Sequence, residues 1–172
     1  MFDKFFPDRY VASTYVIDFE GLYKEGVRGL IFDIDNTLVP HGAPADERAR
    51  ALFKRLKSIG FRCCLISNNQ KPRVEMFNKD IQVDYVYNAH KPSIRNYLKA
   101  MEIMGTDQTN TLFVGDQLFT DVWGAKRVGI HNILVHPINP KEEIQIVLKR
   151  YLEKIVLHFY KKSKKRLKKV AN

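Results

Sequence analysis

Short apolar stretches alternate with longer segments in which apolar residues recur every three or four positions. The run Gly29-Leu30-Ile31-Phe32 leads into Asp33, and Phe61–Ile66, Val83–Tyr87, Thr111–Val114 and Ile130–Val135 follow at intervals. Runs this short, mostly continuous rather than alternating, predict strands buried on both faces. Between them, Ala49, Leu52, Phe53, Leu56 and Ile59 follow helical spacing after Asp46, an N-cap residue, and stop at Gly60. Pro72 opens a short helix with Val74 and Phe77, and Lys91-Pro92 leads into one with Ile94, Tyr97, Leu98, Met101 and Met104 on one face. A further helix over about 121–128 stops at Gly129. Strands alternating with amphipathic helices predict an α/β fold with a parallel sheet, here of five strands.

The ends of the chain read differently. Residues 1–28 are rich in aromatics (Phe2, Phe5, Phe6, Tyr10, Tyr15, Phe19, Tyr23) without a sustained period. They are expected to wrap on the core, with a short helix near Ile17–Lys24. At the other end Asn139 caps a last helix with Pro140 at N1 and Glu142 at N3. Ile144, Leu148, Tyr151, Leu152, Ile155, Val156 and Phe159 form its apolar stripe. The expected organisation is an N-terminal segment 1–28, a core domain 29–160 and a tail 161–172.

Charge sharpens that last boundary. The chain carries +10, and Lys161, Lys162, Lys164, Lys165, Arg166, Lys168 and Lys169 supply +7 of it with no acid among them. The tail suits an anionic bilayer, a solubilising extension on a helix that packs on the sheet, or nucleic-acid phosphates, though it lacks an aromatic to stack on bases. At 172 residues with 45% hydrophobic content, the chain is long enough for one well-buried core. No apolar run reaches the length of a membrane span, and the N-terminus lacks the apolar core of a signal peptide. Cys63 and Cys64 are adjacent and point to opposite faces of a strand, which suits neither a disulfide framework nor a zinc site. These features lead to an expectation of a cytoplasmic protein, peripheral at the membrane if the tail binds there.

The candidate chemistry gathers at the carboxyl ends of the strands, where open α/β sheets bind their ligands. Asp33 and Asp35 follow the first strand, and two carboxylates so close repel unless a cation or a shared proton intervenes. A divalent cation with oxygen ligands resolves this most simply; Mg²⁺ is typically held by one or two carboxylates plus substrate phosphate. Ser67, after the second strand, offers a hydroxyl to a phosphoryl oxygen, and the turn at Asn68-Asn69 offers backbone N–H groups. Lys91 offers a charge to offset phosphate and carboxylate. Asp116 and Asp121 follow the fourth strand as Gly-Asp-x₄-Asp. His41, in the loop Pro40-His41-Gly42-Ala43-Pro44, is read as solvated.

The segments Asp33-Ile34-Asp35-Asn36-Thr37-Leu38, Ser67, Lys91 and Gly115-Asp116…Asp121 resemble, in order, motifs I to IV of the haloacid-dehalogenase (HAD) superfamily, most of whose members are phosphohydrolases. The resemblance covers roughly residues 28–136 and implies a Rossmannoid three-layer α/β/α sandwich. It implies Asp33 as nucleophile, Asp35 as general acid/base, and Lys91 as charge partner. Ser67, Asn68 and Lys91 would bind phosphate. It places Mg²⁺ on Asp33, Asp116 and the backbone carbonyl of Asp35, with Asp121 a further ligand, an outer partner or a helix cap. The intervals Asp35–Ser67 and Ser67–Lys91 leave no room for a cap domain, as in the compact IIIA group, and an open site of this family favours large substrates. Asp33–Pro40, the Ile66–Asn69 turn and Gly115–Asp121 resemble the YqeG-type subgroup, which is similar to mitochondrial phosphatidylglycerophosphate phosphatases. The expected function is therefore a Mg²⁺-dependent phosphomonoesterase acting on a lipid phosphate such as phosphatidylglycerophosphate. The alternatives are a phosphatase of a nucleic-acid end or another phosphorylated metabolite, and a non-catalytic binding module that keeps the fold.

Overall fold

The strands expected from the apolar runs form, with one addition. The structure, a computed structural model, describes residues 3–139 and 144–170. Its strands are β1 (Arg9–Val11), β2 (Gly29–Phe32), β3 (Arg62–Ile66), β4 (Asp84–Val86), β5 (Thr111–Gly115) and β6 (His131–Val135). Its helices are α1 (Phe19–Lys24), α2 (Glu47–Ile59), α3 (Lys71–Asn78), α4 (Arg95–Met104), α5 (Trp123–Val128) and α6 (Ile144–Val170). All strand pairs are parallel, in the order β1-β6-β5-β2-β3-β4.

The sheet therefore has six strands, not five. The addition comes from the aromatic N-terminal segment, where Arg9, Tyr10 and Val11 pair with Ile133, Leu134 and Val135. Three residues, one of them an exposed Arg, are too short a run to read as a strand. The expected short helix in that segment is present as α1, capped by the Asp18 side chain.

Strand residues alternate between two layers. Leu30, Phe32, Leu65, Leu112 and Val114 face α1, α2 and α3. Ile31, Cys64, Ile66 and Phe113 face α4 and α5. Cys63 and Cys64 are buried in different clusters, as their adjacency in a strand requires. Asp46 caps α2 by accepting the Ala49 N–H at 2.8 Å, and Gly60 ends it at φ +111°, a conformation open to glycine. In α4 the inward face is Tyr97, Ala100, Met101 and Met104, whereas Ile94 and Leu98, also expected there, are exposed. Between β3 and β4 only α3 intervenes, and between β2 and β3 only a loop and α2, so nothing of domain size covers the strand ends.

Two expectations at the C-terminal side change. The helix expected over 121–128 starts as a π-helical turn, Leu118–Val122, and passes into α5. The final helix does not stop where the basic residues begin but continues through Val170. Of its expected apolar stripe, Val156 packs inward, beside Glu153 and Tyr160, whereas Tyr151, Leu152, Ile155 and Phe159 are exposed. The proposed cap residues Pro140 and Glu142, and the side chains of Ile144 and Leu148, lie outside the described residues.

Because β3 and β5 flank β2 on opposite sides, the chain reverses direction across the sheet there. The loops after β2 and β5 consequently diverge and open a crevice at their carboxyl ends.

Candidate active site

The loop after β2 is held tightly. The Asp33 N–H continues the ladder to the Val114 carbonyl at 3.0 Å, and the N–H groups of Thr37 and Leu38 turn back to the Ile34 carbonyl. Asn36 sits at φ +62°, a region that Asn tolerates better than most side chains. Its carbonyl accepts the Ile138 N–H and its side chain the Asn139 N–H, which ties this turn to the segment after β6. The tight turn leaves the Asp33 and Asp35 carboxyls at the carboxyl end of this central strand, both buried.

β5 delivers the facing group. Asp121, in the π-helical turn, accepts the N–H groups of Asp116 at 3.1 Å and Gln117 at 3.0 Å through one oxygen. Its other oxygen takes the Lys91 ammonium at 2.7 Å. Gly115 makes this possible: a Cβ there would lie 2.6 Å from the Asp121 carboxyl carbon. Asp121 thus has both oxygens engaged in holding the loop and the lysine. The Thr37 hydroxyl donates to Asp116 at 3.2 Å, so the two loops are joined.

Lys91 lies between the two. Its ammonium donates to Asp33 at 2.6 Å as well as to Asp121, and the side chain is almost wholly buried. Burial opposes its charge, yet Asp121 and Asp33 outweigh burial and hold its pKa above the ordinary lysine value. Asn68 grips the Lys91 backbone from both sides, accepting its N–H at 2.7 Å and donating to its carbonyl at 3.4 Å. The Asn68 side chain is therefore turned to the lysine. Ser67 is buried, and its hydroxyl oxygen accepts from the Asn69 backbone and side-chain amides, both at 3.1 Å.

Asp35 stands apart from this cluster. One oxygen accepts Asn69 Nδ2 at 2.7 Å, and the other accepts Arg73 at 2.8 Å and the Gly42 N–H at 2.8 Å. His41, exposed in its loop, lies 3.9 Å from the same carboxylate. The sequence reading did not single out Arg73, or the Asn69 side chain as a partner of Asp35. Their signal is weak, because an Arg at the start of a helix and an Asn in a turn are ordinary surface residues.

Three carboxylates, Asp33, Asp116 and Asp121, have oxygens within 4.8 Å of one another, and all three are buried. Burial pushes the Asp33 carboxyl up to about 6, with Lys91 opposing and Asp121 adding to the rise. Asp116 is also pushed up, by burial and then by Asp33, with Arg150 pulling the other way. Four acidic side chains, Asp33, Asp116, Asp121 and Glu153, meet only two basic ones, Lys91 and Arg150, so with the carboxyls ionised the cluster carries more negative charge than its cations neutralise. An all-oxygen donor set with excess negative charge fits a hard divalent cation. Asp33 and Asp116 are the residues that would hold it, as the family resemblance implies; Asp121 meets Lys91 and two backbone amides, and at Asp116 the cation would compete with Arg150 and Thr37 for the carboxylate oxygens.

Arg150 and Glu153 were also missed. Arg150, from α6, pairs with the Asp116 carboxylate and donates to the Asp116 carbonyl at 2.7 Å. Glu153 accepts from Arg150 at 3.0 Å and caps the Leu118 N–H at 2.8 Å. A cavity of about 730 Å³ lined by Arg50, Lys54, Arg62 and Asp84 lies at the opposite end of the sheet, where β3 and β4 begin, and takes no part in this cluster.

A parallel sheet with a carboxylate, lysine and carboxylate cluster at its switch point defines a class, and comparison with known proteins agrees with it. Residues 41–129 match the haloacid dehalogenase-like hydrolase family, a span that begins just after Asp35 and includes Ser67, Lys91, Asp116 and Asp121. The chain is 34% identical over 164 residues to the probable phosphatase YqeG of Bacillus subtilis, covering 94% of this chain and 95% of that one. It is 26% identical over 174 residues to phosphatidylglycerophosphate phosphatase 1, chloroplastic/mitochondrial, of Arabidopsis thaliana, covering 86% of this chain and 48% of that protein. The fold matches the crystal structure of a HAD phosphatase from Thermococcus onnurineus with a TM-score of 0.52 at 16% identity, over 69% of this chain and 90% of that one. The chain belongs to the haloacid dehalogenase-like hydrolases, and it is a phosphatase of that family.

Proposed function

We propose that the protein hydrolyses phosphomonoesters through an aspartyl-phosphate formed on Asp33, with a lipid phosphate such as phosphatidylglycerophosphate as substrate and Mg²⁺ as cofactor. The observation that carries the chemistry is the Lys91 ammonium held 2.6 Å from Asp33 and 2.7 Å from Asp121 beside the Asp33–Asp116–Asp121 cluster. This arrangement keeps one Asp33 oxygen neutralised and in place, and it puts a fixed positive charge where a phosphoryl group would gather negative charge. Mg²⁺, held by Asp33, Asp116 and the Asp35 carbonyl, would neutralise the phosphate and orient it.

An Asp33 carboxylate oxygen attacks phosphorus, the bond from phosphorus to the ester oxygen breaks, and the leaving alkoxide takes a proton from the Asp35 carboxyl. Asp35 then accepts a proton from the water that attacks the aspartyl-phosphate, which frees phosphate and restores Asp33. The Ser67 hydroxyl and the Asn68 main-chain N–H serve the transferring oxygens, and Lys91 offsets their charge. Asn69, Arg73 and Gly42 fix the position of the Asp35 side chain at the mouth, and Asp35 serves the leaving group in its protonated form. The lipid assignment is supported by the similarity to a phosphatidylglycerophosphate phosphatase and by strand ends that nothing of domain size covers, which suits a bulky substrate.

The test is phosphate release from phosphatidylglycerophosphate in mixed micelles with Mg²⁺, beside a soluble phosphomonoester, for wild type and Asp33→Asn. The expected outcome is strong preference for the lipid by wild type and loss of turnover on both substrates in the variant, with an unchanged circular dichroism spectrum. Full activity of Asp33→Asn would overturn the nucleophile. Equal, weak turnover of both substrates would overturn the lipid.

A further inference from the structure

Helix α6 has two faces that do different work. Inward, Val156 and Tyr160 pack on Leu118, Val122, Leu134 and Phe6, and Glu153 is buried with them. Outward, Tyr151, Leu152, Ile155 and Phe159 are between 41% and 65% exposed and share one side of the helix. Beside them Lys154, Lys161, Lys162 and Lys165 are exposed. Glu153 is the only acid over residues 150–165, and it is buried and paired with Arg150, so every charged side chain that this described stretch turns outward is basic.

An aliphatic and aromatic stripe next to a row of lysines needs an occupant with an apolar layer beneath a negatively charged one. A bilayer of anionic phospholipid has those two layers at the depths that side chains of this length reach. A nucleic acid would satisfy the lysines and leave Leu152 and Ile155 in water. The first turn of this surface also reaches the active site. Tyr151 and Leu152 directly follow Arg150, whose guanidinium donates to the Asp116 carbonyl at 2.7 Å, and Glu153, one turn on, caps the Leu118 N–H at 2.8 Å.

We infer that the outer face of α6 docks the enzyme on an anionic phospholipid surface, and that Arg150, braced by Glu153, carries the seating of the helix to Asp116. Arg150 is a positioning residue in this account, acting on the substrate only through Asp116. The docking stands on the helix surface alone, whereas its effect on turnover rests on the phosphatase reading given above.

The test uses the full chain with vesicles of phosphatidylcholine alone or mixed with phosphatidylglycerol. Flotation should show binding to the mixed vesicles, weakened by salt, and little to the neutral ones. The double variant Leu152→Glu, Ile155→Glu should bind the mixed vesicles more weakly by on the order of tenfold or more. Ile103→Glu, at an exposed apolar position on α4, should bind as wild type does. Equal binding to both vesicle types, no binding, or full binding by the double variant overturns the docking face. So does a salt-sensitive shift of DNA or RNA in place of vesicle binding.

The link to Asp116 is read separately, as the ratio of soluble-phosphomonoester turnover with and without mixed vesicles. Wild type should be accelerated by the vesicles, and Arg150→Gln should bind them equally yet show no acceleration. A wild-type rate indifferent to bound vesicles overturns the link and leaves the docking intact. Failure of the phosphatase reading is seen elsewhere, as no Asp33-dependent phosphate release under any condition, because flotation needs no turnover.

Discussion

Side chains a few ångströms apart set the demands on this site, and Gly115 shows how narrow they are. A methyl group there would press on the Asp121 carboxyl carbon at 2.6 Å and push that carboxylate off the Lys91 ammonium. Gly115→Ala should therefore fold but lose kcat by roughly ten- to a hundredfold, since displacing a catalytic group by about 1 Å costs that order. Comparing kcat with the thermal midpoint checks this, and an unchanged kcat would show that Asp121 does not fix Lys91. The two thiols allow a second check. Burial pushes Cys63 up to about 12 and Cys64 higher still, so at neutral pH both are protonated and covered. A thiol-disulfide reagent at pH 8 should find no reactive thiol in the native protein and two after denaturation, because only the thiolate reacts. Much of the residue scale was legible in the sequence: Asp33, Asp35, Ser67 and Asp116 are polar residues placed where apolar strands stop, and Lys91 and Asp121 follow within a few residues of β4 and β5. Arg150 and Glu153 were not legible. A charged residue on an amphipathic helix reads as solvent-facing, and nothing local reveals a partner that is 34 positions away.

Helices and strands were legible to the degree that they are long and buried on both faces. β2 and β5 are buried at every residue, so their apolar runs are continuous and their ends mark the site. β1 is three residues with one exposed and two half-buried, and only pairing with β6 makes it a strand. For α6 the period was right and the face was wrong. All of its described stripe but Val156 turns outward, because the inward face is chosen by Arg150 and Glu153 reaching Asp116 and Leu118 as well as by Val156 and Tyr160. α2 gives a cleaner case, since its capping and packing agree. Asp46 accepts the Ala49 N–H at 2.8 Å, and Leu52, Phe53 and Leu56 pack inward. Asp46→Ala should cost about 1 kcal/mol of stability through the lost cap. On a chain of this size that lowers the thermal midpoint by roughly 2–4 °C. Turnover at a temperature well below the transition should be unchanged. A drop in turnover without a shift in midpoint would mean that α2 serves the site in a way the capping argument misses.

For the whole molecule, the decisive quantity is the charge balance at the sheet's switch point, because it couples ligand binding to global stability. Asp33, Asp116, Asp121 and Glu153 face Lys91 and Arg150, which leaves two negative charges uncompensated in a buried cluster when all four carboxyls are ionised. Burial accordingly pushes Asp33 and Asp116 up, which means that the fold bears a cost for keeping them ionised. A divalent cation bound there would offset that excess, so that a phosphate dianion no longer meets a net negative site. The unfolded chain has no such cluster, so the cation binds the native state alone and stabilises it by mass action. At a hundred times its dissociation constant the gain is about 2.7 kcal/mol. For a domain of this length that raises the thermal midpoint by roughly 5–10 °C over a chelator control. Asp116→Asn should behave differently in both conditions. Without the cation it loses one buried charge, so its midpoint should fall little or even rise, while its shift on adding Mg²⁺ should be largely lost. A Mg²⁺ shift of wild-type size in Asp116→Asn would place the cation elsewhere in the molecule. No shift in either protein would mean that Lys91 and Arg150 already balance the cluster as far as the fold requires, with the remaining carboxyls protonated.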